Sequence, residues 1–456
     1  MDLFTPQDIF LVPIELLLLL SVAFLFSSKL SAKSDRTIFF TALFFRLLSV
    51  TIFCLIYALH YDGGDTVNYY YGSKALVNLA FVNPSATLSI LGNNLSLENF
   101  MAFTNATTRP PYYMYIDPNT FSVIRFSALF CFLGAKSFLC TNYILAFVTF
   151  VGPWKLFQLF RQYYPGIERQ LAICILFIPS VLFWCSGIMK DSYTLSATCW
   201  IVVNFHRVML ERKRVFRNLI MMVINAIIIV NIKPYILVSL FPGLLLWVNH
   251  AYIKQLSNKI IRVFATPFMV LIIGGVGFAT FQTFQSYLGE YGNLDRAIHK
   301  AKIVQEDLLR EEQYGTNSYN IGEIDGTFTG MLKLAPIAIF TAIFRPLINE
   351  VGSPLMILSV LENTVLLLLT VFTLIRFPFR LLLKILTENP LVMFAISFSM
   401  FFAFGVGIAV TNFGALVRYR APLVPFFYSA IFILRYLKKQ AKQEPAASPL
   451  AVKKAA

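Results

Sequence analysis

Apolar runs of about twenty residues recur along the whole chain, and no other feature constrains its fold as strongly. A run of this length crosses the hydrocarbon core of a bilayer as an α-helix. Inside the bilayer no water is present to satisfy backbone N–H and C=O groups, so each span must satisfy them internally. The sequence therefore predicts an all-α polytopic membrane protein with about eleven transmembrane helices, within a range of roughly ten to thirteen.

Charge supports this class and argues against nucleic acid as a partner. Charged residues make up 13% of the chain, against about 25% in soluble proteins. The net charge of +15 comes mostly from short clusters of Lys and Arg between apolar runs, of which Arg212, Lys213, Arg214 and Arg217 form the clearest. Such clusters mark cytoplasmic loops. We therefore expect a multi-pass protein of the bacterial inner membrane, with its N-terminus outside and its C-terminus in the cytoplasm.

The alternation of apolar and polar stretches divides the chain into six parts. Two long outer loops are expected to carry amphipathic helices, and residues 331–344 are interpreted as lying at the membrane interface, because a full span there would invert every later loop. The parts are an N-terminal two-span unit (1–60), a first outer loop with an acidic site and an interfacial helix (61–135), a transmembrane bundle (136–284), a second outer loop (285–354), a C-terminal transmembrane unit (355–440) and a disordered basic tail (441–456).

The first outer loop opens with the stretch HYDGGDTVNYYYGSKAL, which begins at His60, just past the second apolar run. Glycines 63 and 64 permit a tight turn that can point Asp62 and Asp65 the same way. A pair of acids at the membrane–water boundary, followed by Tyr69 and Tyr70, suits activation of a hydroxyl group on a bound sugar or lipid. The alternative is an ordinary polar loop that caps a helix.

Further polar residues lie at the ends of spans on the same predicted face of the membrane, the outer face. They are Lys190, Asp191, Lys233, Arg345, Glu350, Arg418, Tyr419 and Arg420. Acids and fixed cations around one cavity suit a reaction in which a hydroxyl attacks and a phosphate departs. Simpler interpretations stay open: a local pair or helix cap for residues 190–191, a turn at residue 233, a surface pair for residues 345 and 350, and lipid headgroup contacts for residues 418–420. For Arg46, inside the second span, a structural ion pair is the simpler interpretation.

The acidic loop after an early span, the short hairpins and the late stretch RYRAPLVP from Arg418 to Pro425 resemble the GT-C superfamily of integral-membrane glycosyltransferases. The resemblance implies a polyprenyl-phosphate-linked sugar as donor, a lipid, glycan or protein as acceptor, and an acid of the first outer loop as base. An extra span precedes this loop, and the acid-glutamate pattern of many members is absent, so the choice between Asp65 and Asp62 stays open. The loop is also similar to membrane polymerases of exopolysaccharide or O-antigen units.

The leading hypothesis is a glycosyltransferase that works at the outer leaflet of the membrane. Membrane lipids are expected as further partners. Asp65 would act as base beside Asp62, while Tyr69 and Tyr70 would stack on sugar faces. Lys190, Arg418 and Arg420 would hold the lipid phosphate. No cofactor is predicted, and a divalent metal stays open. The alternatives of another class are a transporter or flippase for lipid-linked glycans and a structural subunit, although no internal repeat typical of transporters is found.

Overall fold

The computed structural model describes residues 3–443, except 29, 31–32, 62, 254–292, 310–317, 323–326 and 353. In these residues the chain forms helices and no strand. The first ten helices are α1 (Asp8–Ser27), α2 (Lys33–Leu59), α3 (Asp65–Val82), α4 (Pro84–Leu91), α5 (Leu97–Met101), α6 (Tyr112–Ile116), α7 (Pro118–Leu133), α8 (Phe138–Tyr163), α9 (Glu168–Leu176) and α10 (Pro179–Trp184). The others are α11 (Lys190–Met209), α12 (Val215–Ile232), α13 (Tyr235–Val248), α14 (Leu294–Leu308), α15 (Phe328–Phe344), α16 (Pro354–Ile375), α17 (Phe379–Glu388), α18 (Pro390–Ala409), α19 (Phe413–Tyr419) and α20 (Val424–Gln443).

Seven helices in the described part of the chain are long and apolar enough to cross a membrane, which confirms the prediction of an all-α membrane protein at this level. The consecutive helices α19 and α20, bent by 68°, raise the number to eight if they form one span. The seven are Asp8–Ser27, Ser34–Leu59, Phe138–Tyr163, Val215–Ile232, Tyr235–Tyr252, Met356–Ile375 and Pro390–Ala409. The count of about eleven stays a prediction. Residues 254–284 of the predicted transmembrane bundle and residues 444–456 of the predicted basic tail lie outside the described residues.

The spans differ in what they present to the surroundings. In α1 only 11% of the apolar window is buried, and Ile9, Phe10 and Leu17 are exposed. In α8, by contrast, 72% of the window is buried. Apolar side chains that face outward on a helix of this length are typical of contact with lipid. The peripheral helix α1 and the central helix α8 therefore have distinct roles, the first at the lipid boundary and the second in the core.

The region from Tyr61 to Thr120, expected as a long outer loop, is mostly helical. Helix α3 begins directly at Asp65 and packs against α7, where Ser73 Oγ donates a hydrogen bond to the carbonyl of Ile124 at 3.2 Å. A Cβ added at Gly72 would lie 2.4 Å from Ile124 Cδ1. Gly72 and Ser73, which lie in the stretch predicted as a loop, are thus used for close packing of two helices.

The helices end at two opposite sides of the bundle. On one side, which we call the basic end, Arg161 of α8 pairs with Asp35, and Tyr163 is 2.7 Å from Nε2 of His206 at the end of α11. On the other side, which we call the site end, α2 finishes and α3, α11 and α13 begin. This arrangement brings several of the predicted cytoplasmic cations together at the basic end.

Candidate functional site

The turn between α2 and α3 places Asp65 at the site end. Gly63 and Gly64 both have positive φ (146° and 98°), and a Cβ on Gly64 would lie 3.1 Å from the Tyr57 ring. Only glycine satisfies both conditions at residue 64. The turn leaves Asp65 in the first turn of α3, where the helix dipole favours a negative charge. Asp62 lies outside the described residues.

Asp65 is joined to an arginine from the far end of the sequence. Its Oδ2 accepts a hydrogen bond from Arg418 Nη1 at 2.8 Å, although the two residues are 353 positions apart. The Asp65 side chain is 41% exposed and that of Arg418 20%. The acid after the second helix and the guanidinium before the last helix therefore do meet, as the sequence hypothesis requires.

A second, buried ion pair lies behind the first. Asp191 is fully buried, and its Oδ1 is 2.5 Å from the Nζ of Lys233. Its other oxygen, Oδ2, has no hydrogen-bond partner among the described residues and lies 3.8 Å from Nε of Arg418. Lys233 also sits 4.1 Å from the centre of the Tyr419 ring. We call Asp65, Asp191, Lys233, Arg418 and Tyr419 the Arg418 cluster.

The turn before α11, which aims Asp191 inward, is held by two buried polar side chains. Arg46 donates to the carbonyl of Cys185 and, at 3.0 Å, to Thr149 Oγ1. The backbone N–H of Ile188 donates to Asn142 Oδ1 at 2.8 Å. Arg46, for which the sequence suggested an ion pair, contacts no carboxylate in the part of the chain that the structure describes. It fixes the backbone that leads into the site.

Lys190 does not pair with its neighbour Asp191. Its Nζ donates to Thr120 Oγ1 at 2.7 Å and is 3.6 Å from Asp117, the residue that caps α7. Burial by itself would raise the pKa of Asp117. The charge of Lys190 and hydrogen bonds from Thr120 and Asn119 outweigh it and lower that pKa below its usual value. Lys190 also interacts electrostatically with the hydroxyl of Tyr419, so it stands beside the Arg418 cluster.

Helix geometry points the two tyrosines predicted after Asp65 in different directions. Tyr69, four residues after Asp65, lies on the same face of α3 and interacts electrostatically with Asp65 and Arg418, although it is buried. Tyr70 points elsewhere: its hydroxyl donates to the carbonyl of Lys136 at 2.6 Å. Its ring also packs edge-on against Phe138. Tyr70 is therefore placed in the packing between α3 and α8, away from the cluster.

Two residues near the cluster were not singled out in the sequence. Tyr57, in the last turn of α2, interacts electrostatically with Arg418 and Asp65. Tyr113 accepts a hydrogen bond from Asn68 Nδ2 at 2.9 Å. The position of Tyr57, on the last turn before the glycine pair, was a signal that could have identified it. Nothing local marks Tyr113, because α6 is brought to the site by tertiary packing.

Arg420 belongs to a separate network that is fully internal. It is 1% exposed and donates to the carbonyls of Ile343 and Arg345 at 3.0 and 3.1 Å. It also donates to Asn363 Oδ1, and Glu362 lies 4.0 Å away. The expected role of Arg420 in holding a phosphate therefore lacks support from its geometry, since both of its Nη groups already donate to protein acceptors.

Arg345 and Glu350 form an ion pair that is more than a surface contact. Their side chains are only 18% and 16% exposed, and Arg345 Nε is 2.8 Å from Glu350 Oε1. The Arg345 guanidinium also lies 4.6 Å from the centre of the Tyr319 ring. This pair stabilises the segment after α15 and does not reach the Arg418 cluster through any contact of the described residues.

The Arg418 cluster combines an exposed acid with a cation that contacts two carboxylates. An arriving anion would compete with Asp65 for Arg418, because guanidinium groups bind phosphate at least as readily as carboxylate. Competition of this kind would leave Asp65 free as a hydrogen-bond acceptor for a hydroxyl group.

Among the described residues, no group of three or more His, Cys, Asp or Glu side chains is placed to hold a metal ion. Comparisons of the chain with protein-family models, with curated proteins and with solved structures found no significant match.

Proposed function

We propose that this chain is an integral-membrane glycosyltransferase that moves a sugar from a polyprenyl-phosphate donor to an acceptor at the outer face of the membrane. The observation that supports it best is the contact between Asp65 and Arg418 at the site end. It joins an accessible base to a cation suited to a phosphate, as this reaction needs.

In the proposed reaction, Asp65 accepts the proton of an acceptor hydroxyl while the hydroxyl oxygen forms a bond to the anomeric carbon of the sugar. The bond between that carbon and the phosphate oxygen breaks, and the polyprenyl phosphate departs with the electron pair. Arg418 stabilises the phosphate charge as it develops, and Lys190 adds a second positive charge nearby. Tyr113, which is exposed and hydrogen-bonded to Asn68, is accessible to a sugar, whereas the buried ring of Tyr69 would have to be uncovered to stack on one.

Asp191 and Lys233 are assigned a positioning role. The unpartnered Oδ2 of Asp191 attracts Nε of Arg418, which leaves the Nη groups to face Asp65 and an incoming phosphate. Because Lys233 balances the charge of Asp191, the buried acid does not neutralise Arg418 completely.

The proposal includes the topology expected from the sequence, with about eleven spans, an outer N-terminus and a cytoplasmic C-terminus. Helix α11 is too polar to be counted among the seven spans, yet it runs beside α8 and α12 from Lys190 at the site end to His206 at the basic end. The broken pair α9 and α10 supplies another candidate crossing. Both agree with a larger number of spans.

The test is a complementation experiment in the source organism. Disruption of the coding sequence should leave an envelope glycan one sugar short, as measured by mass spectrometry of purified glycans. The wild-type chain and the control variant Glu98→Gln, which changes an exposed acid of the same region, should restore the sugar. Asp65→Asn should restore less than about 1% of it at equal membrane abundance, because the amide cannot accept the proton.

Detergent extracts distinguish the enzyme from a flippase. Membranes of the disrupted strain provide the acceptor, and undecaprenyl-phosphate-linked hexoses are the added donors. Transfer by the purified wild-type chain without closed compartments supports the proposal. Restoration of the glycan in cells by Asp65→Asn, or a glycan profile unchanged by the disruption, would contradict it.

A further inference from the structure

A large cavity opens at the basic end, on the opposite side of the bundle from the Arg418 cluster. Its volume is about 740 Å³, and it is lined by residues of α8, α11, α12 and the connection between the last two helices. Cavities that hold small molecules are typically about 300–1,000 Å³. The cavity is therefore large enough for a headgroup and part of an attached chain.

Among the described residues, the charged side chains that line this cavity are five cations and a single acid. The cations are Lys155, Arg207, Lys213, Arg214 and Arg217, and the acid is Glu211. Glu211 is already engaged, at 3.4 Å from Lys213 and 3.6 Å from His206. The charge that lines the cavity is therefore strongly positive, and the acid present is shared with other partners.

The three arginines have at most a shared counter-charge, because Glu211, which is close to Lys213, also attracts Arg207. The side chains of Arg207, Arg214 and Arg217 form no hydrogen bond or salt bridge with any described residue, while Arg207 interacts electrostatically with both of the others. Like charges held close together repel one another, although water screens the exposed Arg214 and Arg217 more than the partly buried Arg207. An anion in the cavity would relieve this repulsion.

An independent observation comes from Asn204, whose side chain lines the same cavity. Asn204 is 1% exposed, and neither its Oδ1 nor its Nδ2 has a hydrogen-bond partner among the described residues. A buried polar group without a partner is destabilising, because it has lost its hydrogen bonds to water. Asn204 precedes Arg207 by three residues and follows Trp200 by four, so the three side chains share one face of α11.

The bias of cytoplasmic loops toward Lys and Arg explains why cations occur at this end. It explains neither a concave site nor a buried amide without partners. Together these features match a ligand with a phosphate group for the arginines, a polar oxygen for Asn204 and an apolar part for Trp200 and Met221.

We propose that this cavity binds the phosphate group of an anionic lipid, with the lipid's glycerol region and first methylenes against Trp200 and Met221. Arg207 and Arg217 hold the phosphate, and Asn204 hydrogen-bonds to a phosphate or ester oxygen. The inference does not depend on the proposed transfer reaction at the site end.

The test measures binding of short-chain lipids to the purified full-length chain in a neutral detergent. Dioctanoyl phosphatidylglycerol is the probe, dioctanoyl phosphatidylcholine is the zwitterionic comparison, and inorganic phosphate represents the free anion. Mass spectrometry of the intact complex counts bound lipid at each concentration. Phosphatidylglycerol should bind saturably and at least about tenfold more tightly than either of the other two.

Variants separate a specific site from general attraction to a basic surface. Arg207→Gln and Arg217→Gln should each weaken phosphatidylglycerol binding about tenfold or more. Arg435→Gln, at an exposed arginine of α20 outside the cavity, should leave it unchanged. Equal binding of the two lipids, or wild-type binding by both cavity variants, would overturn the proposal.

Asn204→Leu provides a second readout. If the amide serves the ligand, this variant should bind phosphatidylglycerol more weakly while its midpoint of thermal unfolding without lipid does not fall. A lower midpoint with unchanged lipid binding would assign Asn204 a structural role and count against the site. Inorganic phosphate that competes as strongly as the lipid would overturn the lipid as source and leave a site for free phosphate.

Discussion

Two arginines at the end of α19, separated by a single residue, have different surroundings. Arg418 contacts the half-exposed Asp65, whereas Arg420 is enclosed by the carbonyls of Ile343 and Arg345 and by Asn363. Side chains at positions i and i+2 at the end of a helix point in different directions. The pair therefore divides into one candidate functional cation and one structural cation.

This division predicts different effects for two matched substitutions. Arg420→Gln should destabilise the chain by about 3 kcal/mol, because buried acceptors lose their donor and Glu362 loses its positive neighbour. Arg418→Gln should lower stability less, since Lys233 still pairs with Asp191, but it should abolish transfer. Unfolding in detergent, followed by circular dichroism, measures the first effect. A larger loss of stability in Arg418→Gln would contradict the assignment.

At the scale of residues, the sequence predicted which residue types form the candidate site better than it predicted what each of them contacts. It placed Asp65 and Arg418 in one chamber, and they touch. It also expected Tyr70 and Arg420 there, but both side chains are used in packing. The rotation of each helix about its axis determines which side chains point inward, and neighbours distant in sequence set that rotation.

At the scale of helices, small residues allow the closest approaches. Gly152 of α8 contacts α11 so closely that an added Cβ would lie 2.6 Å from the carbonyl oxygen of Ser196. Thr198 satisfies its hydroxyl by donating to the carbonyl of Thr194 at 2.7 Å. Small and hydroxyl-bearing residues are typical of helix interfaces inside membranes. They also make α11 less apolar than a lipid-facing span, although it is central to the bundle.

The contact between α15 and α18 supplies a prediction with an internal control. A Cβ at Gly407 would lie 2.0 Å from the carbonyl oxygen of Ala338, whereas a Cβ at Gly405 would meet nothing within 4 Å. Gly407→Ala should therefore force the helices apart and destabilise the chain by about 1–3 kcal/mol. Gly405→Ala should be neutral or stabilising by about 0.5–1 kcal/mol. Equal unfolding midpoints for the two variants would contradict this packing.

At the scale of the whole molecule, charge is separated between two ends. The site end has cations balanced by Asp65, Asp117 and Asp191, while the basic end has an excess of unpaired arginines. A phosphate would have to displace an acid at the first end but would meet open cations at the second. The two ends therefore suit different ligands, a substrate that is exchanged and a lipid that is retained.

The proposed orientation can be measured with introduced cysteines, because all six native cysteines are buried. Glu98→Cys should react with a membrane-impermeant maleimide added to intact spheroplasts. Lys213→Cys, whose side chain is 73% exposed at the basic end, should react only after permeabilisation. The reverse pattern would invert the topology, and reaction of both from outside would contradict a chain that spans the membrane between its two ends.

The sequence by itself determined the membrane class, the helical content and the tight turn before Asp65. Each of these depends on local chemistry: partition into a bilayer follows from the composition of one run, and the turn before Asp65 follows from two glycines. Tertiary structure alone decided the partners, such as Asp191 with Lys233 and Lys190 with Asp117. Pairing depends on the depth and rotation of helices that are distant in sequence, and close packing between them sets both.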